Sequence, residues 1–326
     1  MLSRAFPEQG IPDAKLDFDY LVYALGSHLP QPIDLWAKEG SAIYGGTKSE
    51  GVDWMKRAQT RIEQAPSVLV VGGGALGIQY ATDIATAYPD KPVTLLHSRD
   101  RLLPRFDERM HTKIRSAMSD LGINVILGDR VDLSSITAAG GQEQKVRTLS
   151  GREIQAGLVL LCTGQQPNTE LFRDMLPSSL INDGPKKGLL RVNRALQVQT
   201  EQDGDLTVPY PHIFAVGDTA DAFGAINAGH NAARQGDLAA NNILRLIRQA
   251  ESQTSVQGVQ KDSTCELESY SPGPPGIKVT VGLTRAVYQR NGNVGDKHDD
   301  PLDGNAAYMW KNFGHQEPVG EEDMYA

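Results

Sequence analysis

Only two cysteines, Cys162 and Cys265, occur in 326 residues, too far apart in sequence for a C-x-x-C redox pair or a metal-ligand cluster. Both read as free thiols of a reducing compartment. Cys162, which closes the apolar run 158–161, reads as a small buried residue rather than a redox group. Basic excess is missing too: the net charge is −8, which argues against a nucleic-acid partner, since phosphate binding calls for a basic face. No uninterrupted apolar run approaches the roughly 20 residues a bilayer crossing needs, so no membrane span is expected. The start Met1-Leu2-Ser3-Arg4 holds no secretory apolar core, and Leu2 stands where N-myristoylation needs glycine. A cytoplasmic location is the default expectation. What is present, 40% hydrophobic and 22% charged residues, is ordinary for a globular chain long enough for two domains and an appended piece.

The chain is organised around residues 67–84, which read as strand, glycine turn and helix in succession. The run 67–71 is apolar and β-branched, as a strand buried on both faces requires. Gly72, Gly74 and Gly77 follow with the spacing G-x-G-x-x-G. The first makes a tight turn, the second admits a pyrophosphate to the backbone, and the third lets the helix pack on the strand. The helix then aims its free N–H groups and positive dipole end at the phosphate. A second strand at 92–96, an amphipathic helix marked by Phe106, Met110, Ile114, Met118 and Leu121, and a third strand at 123–127 complete a β-α-β-α-β unit.

Around this unit the pattern is looser. Residues 16–26 alternate and then turn apolar, predicting a strand that ends in a small-x-Gly turn. From Gly51 a helical period sets Trp54, Ala58 and Ile62 on one face, closed by Pro66. Residues 131–154 predict an antiparallel excursion with turns at Gly140-Gly141 and Ser150-Gly151. A buried strand over 158–162 then ends at Thr163-Gly164, repeating the logic of 16–26. Residues 209–218 predict a short strand ending in Gly217-Asp218, followed by a long helix over about 225–247. Residues 249–275 have the composition of a mobile linker, 276–288 predict one or two strands, and the remainder is acidic and weakly patterned. His315 and Glu321 make no convincing acid–base pair.

With the glycine turn, the two small-x-Gly strand ends and the string Ile213-Phe-Ala-Val-Gly-Asp218 in view, the chain resembles the flavoproteins with two dinucleotide-binding domains, the FAD/NAD(P)-dependent pyridine nucleotide-disulfide oxidoreductase superfamily. Within them it resembles the apoptosis-inducing-factor-like oxidoreductases of the ferroptosis-suppressor type. The carrying residues are 70–74, 92–98, 158–169 and 213–218, and the resemblance covers about 16–247, reaching less specifically to Tyr270-Ser-Pro-Gly273. It implies an α/β, Rossmann-like architecture with a complete NAD(P) domain, an incomplete FAD domain and a small C-terminal α+β piece. The implied boundaries are 1–47 for a remnant of the FAD domain and crossover, 48–166 for the NAD(P) domain, 167–250 for the rest of the FAD domain, 251–275 for a linker and 276–326 for a C-terminal segment. It further implies FAD and NAD(P)H as cofactors, and hydride transfer from nicotinamide to flavin and on to a quinone-like small acceptor. A second copy of the chain is an open partner. Asp218 would accept from the ribityl chain or sit beside the pyrophosphate, and the following helix would face its dipole to the flavin's pyrimidine edge.

Several positions depart from that pattern. The acid that usually holds the ribose lies about 20 residues after the third glycine, and that count falls on His97, with Arg99 and Arg101 beside it. Two readings stand side by side: arginines attracting a 2′-phosphate, or a strand-capping histidine with solvated arginines. Gln79 occupies a helix position where the family carries Glu, and Leu25 replaces an expected Thr. No G-x-G-x-x-G precedes residue 67, which leads us to expect a chain beginning inside the FAD domain, through a shortened reading frame or with a second polypeptide completing the sheet. The cofactor-binding set is thus Gly72, Gly74, Gly77, Gln79, His97, Arg99, Arg101, Gly164, Gly217 and Asp218, with no side chain assigned to catalysis. Alternatives are a nicotinamide-nucleotide-binding remnant without flavin turnover and an interaction protein docking through 266–326.

Overall fold

A computed structural model of the chain describes residues 4–35, 47–137, 143–254 and 266–302. Cys265, the Gly140-Gly141 turn, His315 and the acidic positions from Asp303 onward lie outside them. The described residues form two compact units, one drawn from 1–27 and 166–273, the other from 28–165 and 274–326.

The second unit is built on a four-stranded parallel sheet in the order Asn124–Ile126, Val93–Leu96, Val68–Val71, Leu158–Leu161. Alternation along Val68–Val71 decides the layers, because successive side chains leave a strand on opposite faces. Val68 and Val70 join one core with Ile78, Leu95, Met110, Ile114 and Met118. Leu69 and Val71 join another with Val146, Ile154 and Val159. With both faces covered, the four residues are at most 5% exposed; each contributes roughly 1.5–3 kcal/mol by burial. Helices Ala75–Ala87 and Glu108–Asp120 supply the first core, and the antiparallel pair Gln144–Arg147 and Glu153–Ala156 supplies the second.

Helix Lys48–Gln64 starts three residues before the expected Gly51. A capping box explains the difference: Thr47 Oγ1 accepts from the Glu50 N–H while Glu50 Oε2 accepts from the Thr47 N–H, satisfying two otherwise orphaned donors. At its other end Lys91 Nζ donates to the Glu63 and Ala65 carbonyls, placing a cation where the helix dipole favours one.

Beyond residue 276 the chain forms three antiparallel strands, Ile277–Thr280, Ala286–Arg290 and Asn293–Lys297. The first two meet the expectation for 276–288; the third arises in the stretch read as weakly patterned, because Asn291-Gly292, both at positive φ, forms the tight hairpin turn for which that dipeptide is suited. Nor are the acidic residues here all solvated. Asp296 accepts from Lys113 at 2.6 Å, and Asp300, 5% exposed, takes Lys278 at 2.7 Å and Lys297 at 2.9 Å. Among the described residues this piece contains strands only, where a mixed α+β piece is expected.

In the first unit, Leu21–Tyr23 pairs in parallel with Ile213–Ala215. The strand expected over 16–26 is therefore far shorter: Leu16 and Phe18 are 53% and 52% exposed and find no neighbouring strand among the described residues. The core gathers Tyr23, Phe172, Leu190, Leu196 and Phe214, with Tyr23 edge-on to Phe172 at 4.8 Å. The long helix, expected over 225–247, runs Gly229–Thr254. Phe223 and Gly224 at positive φ turn the chain before the helix can begin. Of the expected linker, residues 266–273 pack against this unit, with Tyr270 3% exposed.

Candidate functional site

The glycine turn of the four-stranded unit is fixed by close approach rather than by choice. Gly72 stands at φ +125°, and a Cβ there would lie 2.1 Å from the Cys162 carbonyl oxygen. At Gly77 a Cβ would lie 1.9 Å from the Gly72 oxygen. Gly73, to which the spacing assigns no role, is equally constrained, since a Cβ would meet Leu102 and the His97 ring within 2.7 Å. Gly74 differs: its Cβ position meets nothing within 4 Å, and it caps helix Ala75–Ala87 with no side-chain cap and no acid in the first turn. Three glycines are thus spent on packing, and the fourth leaves space and unsatisfied helix N–H groups on one side, as a phosphate requires.

His97, Arg99, Arg101 and Gly164 lie with this turn at the carboxyl ends of the strands, where open α/β sheets bind ligands. Val71 pairs with Leu96 on one side and Leu161 on the other, and the chain order reverses between these neighbours. His97 does not face a ribose position freely: its Nδ1 accepts the Gly73 N–H at 3.0 Å. Burial foremost, and then the Arg99 charge, push its pKa down, the direction that suits an Nδ1 accepting a hydrogen bond. His111 repeats the device one element later, accepting the Leu102 N–H through Nδ1 at 3.0 Å, with its pKa lowered first by burial. The two imidazoles hold the loop after Val93–Leu96 against the turn. Arg101 donates to the Pro104 carbonyl at 2.8 Å, whereas Arg99 is exposed.

One turn into the helix, Gln79 donates to Thr280 Oγ1 at 2.9 Å, so its amide ties the helix to the antiparallel sheet. Asp83, four residues on and hence on the same helix face, was absent from the sequence reading. Burial pushes its carboxyl up to about 6, and its Oδ1 is buried without a hydrogen-bond partner. No motif marks it; only the packing of the helix desolvates it. Burial pushes the Cys162 thiol up to about 12, although the residue as a whole is only partly buried, short of the fully buried position expected for it.

Gly217 and Asp218 belong to the other unit. They follow Ile213–Ala215, with Gly217 at φ +72°, and Asp218 Oδ2 accepts from Ser27 Oγ at 2.7 Å. Asp218, Asn227, Asn231 and Gln235 line a small open cleft together with Ala220, Ala222 and Ala225, a lining that offers donors, acceptors and small apolar side chains.

The model for the pyridine nucleotide-disulphide oxidoreductases matches residues 8–236. Fe-regulated protein 8 of Mycosarcoma maydis is 44% identical over 302 residues, covering 92% of this chain and 68% of that protein. Ferroptosis suppressor protein 1 of Mus musculus is 28% identical, covering 85% of this chain and 65% of its own length. This chain therefore spans about two thirds of the curated relatives it matches. Among solved structures, a ferredoxin reductase from Rhodopseudomonas palustris shares the fold with a TM-score of 0.57 at 20% identity, over 84% of this chain and 58% of that one.

Proposed function

Because the chain belongs to the pyridine nucleotide-disulphide oxidoreductase family, whose members are FAD- and NAD(P)H-dependent oxidoreductases, we propose that it binds both cofactors and passes electrons to a small quinone-like acceptor. When bound, the two cofactors supply the redox chemistry, a hydride moving from nicotinamide to flavin. The protein's own part is to bind, orient and set charge.

The observation that carries the reading is the contrast among the glycines of the turn. Gly72, Gly73 and Gly77 are closed by protein atoms, while Gly74 is open above an uncapped helix N-terminus. Phosphate oxygens of NAD(P)H would meet those N–H groups. His97 holds the turn rather than the ribose, and no acid stands at its position, so a 2′-phosphate meets no repulsion and Arg99 offers attraction. NADPH is accepted alongside NADH on this reading. In the other unit Asp218, fixed by Ser27, would accept from the flavin's ribityl hydroxyls, and Asn227 would line its polar edge. The similarity to ferroptosis suppressor protein 1 supports the quinone-like acceptor, and a cytoplasmic place belongs to the same reading.

One observation favours a second reading, nucleotide binding without flavin turnover: Leu16, Phe18, Val22 and Leu25 of the unit that carries Asp218 are between 38% and 55% exposed. Reconstitution separates the two. The purified chain mixed with FAD and freed of excess cofactor should show flavin absorbance that NAD(P)H bleaches and a quinone restores. Calorimetric NAD(P)H binding with no retained flavin would establish the second reading instead.

A further inference from the structure

The turn that carries Asp218 is held from far along the chain. Gly217 donates its backbone N–H to Gln235 Oε1 at 2.7 Å. The same side chain, 2% exposed, donates through Nε2 to the Tyr270 hydroxyl at 3.2 Å. These two bonds fix which end of the amide faces which neighbour, since Oε1 can only accept and Nε2 can only donate. Tyr270 is itself anchored. Its N–H donates to the Arg194 carbonyl at 2.7 Å and its carbonyl accepts from Arg194 Nη1 at 3.1 Å, while the Arg194 guanidinium lies over the Phe223 ring at 3.8 Å. Two residues before Tyr270, Glu268 donates its N–H to fully buried Asn242 at 2.7 Å, and Asn242 donates to the Glu268 and Ala195 carbonyls at 3.0 and 3.2 Å. The segment around Tyr270 is therefore a strap bound to the long helix at several independent points.

We propose that Gln235 and Tyr270 are positioning residues for the Gly217-Asp218 turn, transmitting the placement of the 266–273 strap to the carboxylate that faces the cofactor cleft. The proposal rests on the reading that this cleft takes the flavin. Its physical basis is the cost of stranding a donor. Without the Gln235 oxygen, the Gly217 N–H sits partly buried with no acceptor, and the turn relaxes toward water and carries Asp218 with it. Without the Tyr270 hydroxyl, the amide of Gln235 loses the partner that holds its orientation, and the same bond weakens at one remove. Ser27, the other partner of Asp218, restrains the carboxylate but not the turn's backbone.

The test compares Gln235→Met, Tyr270→Phe and the double variant in the full chain, by residue-resolved amide exchange and by fluorescence titration with FAD. Loss of a single buried hydrogen bond should speed exchange at Gly217 by about tenfold in Gln235→Met and about threefold in Tyr270→Phe. Protection of the neighbouring strand Ile213–Ala215 should stay unchanged. Because the two side chains act in series, the double variant should be no worse than Gln235→Met alone. FAD should bind more weakly in the same order. Unchanged exchange at Gly217, equal acceleration throughout the strand, or independent multiplication of the two effects would each overturn the positioning role, as would undiminished FAD affinity. A wild-type chain that takes up no FAD overturns the flavin reading instead, and the exchange data still decide whether the strap sets the turn.

Discussion

Two of the glycine-bearing turns that follow parallel strands, at residues 72–77 and at 217–218, are closed by different means. At 72–77 the turn is locked by atoms in van der Waals conflict with any Cβ: the Cys162 carbonyl, the Gly72 oxygen, the His97 ring and Leu102. At 217–218 the Cβ position of Gly217 meets only Ala232, at an ordinary 3.4 Å, and the turn is held by polar bonds to Ser27 and Gln235. Steric locking needs a sheet covered on both faces, and the four-stranded unit has one. The strand Ile213–Ala215 is buried as well, but the chain beyond it does not crowd Gly217, and hydrogen bonds from distant residues fix the turn instead. Packing gives a turn that tolerates no added methyl group; a bonded brace gives a turn that single polar substitutions can shift.

That contrast can be broken or sharpened by substitution. The largest effect is expected at Gly72→Ala, where the positive φ and the 2.1 Å approach to Cys162 combine; more than about 3 kcal/mol of stability should be lost. Gly217→Ala should cost only about 1–2 kcal/mol, the left-handed backbone penalty alone. Denaturant melts of the two variants that gave equal losses would erase the distinction between a packed and a braced turn. Gly74→Ala should leave stability within about 0.5 kcal/mol, because nothing crowds its Cβ, yet weaken NAD(P)H by about tenfold, as the new methyl would stand where the pyrophosphate approaches. Calorimetry checks this, and unweakened binding would place the phosphates elsewhere.

Two smaller predictions concern pH. Asp83 is raised to about 6 in the fold, so its contribution is fully present below the ordinary carboxylate range and is lost as pH rises through about 6. Asp83→Asn should therefore raise stability at pH 8 by about 1 kcal/mol, once screening by solvent at this half-buried site is allowed for. At pH 4 it should change little, and thermal melts at both values test this. His97 has the opposite sign. Its pKa lies below the ordinary imidazole value in the fold, so its support of the turn is present above that value and lost as pH falls through the lowered one, when Nδ1 takes a proton and can no longer accept from Gly73. A decline in NAD(P)H affinity on acidification of about threefold is expected from the loss of one such bond. His97→Gln, whose side-chain oxygen has no proton to gain in this range, should flatten it.

Much of this was legible in the residues themselves. The spacing of Gly72, Gly74 and Gly77, the unbroken apolar run before them and the 3.6-residue period from Met110 to Met118 each depend on neighbours only a few residues away. The capping box at Thr47 and Glu50 and the Asn291-Gly292 hairpin were equally local, and a closer reading of the same residues would have found the early helix start and the third strand. His97 shows where such reading stops. Counting placed it correctly at the end of its strand, but its occupation by the Gly73 N–H follows from how that strand and the turn meet. Asp83, Gln235 and Tyr270 carry no local signal at all.

By itself the sequence determined the β-α-β-α-β unit, the glycine turn within it and the family, because these rest on backbone geometry and periodicities that repeat within a few residues. Only the tertiary structure decided which glycine is open to a ligand, which imidazole is bonded to the backbone, which carboxylate is desolvated and which remote tyrosine braces the second turn. Those properties arise when segments separated by tens of residues come within hydrogen-bond reach and displace water, and the spacing of residues along a chain carries no record of that.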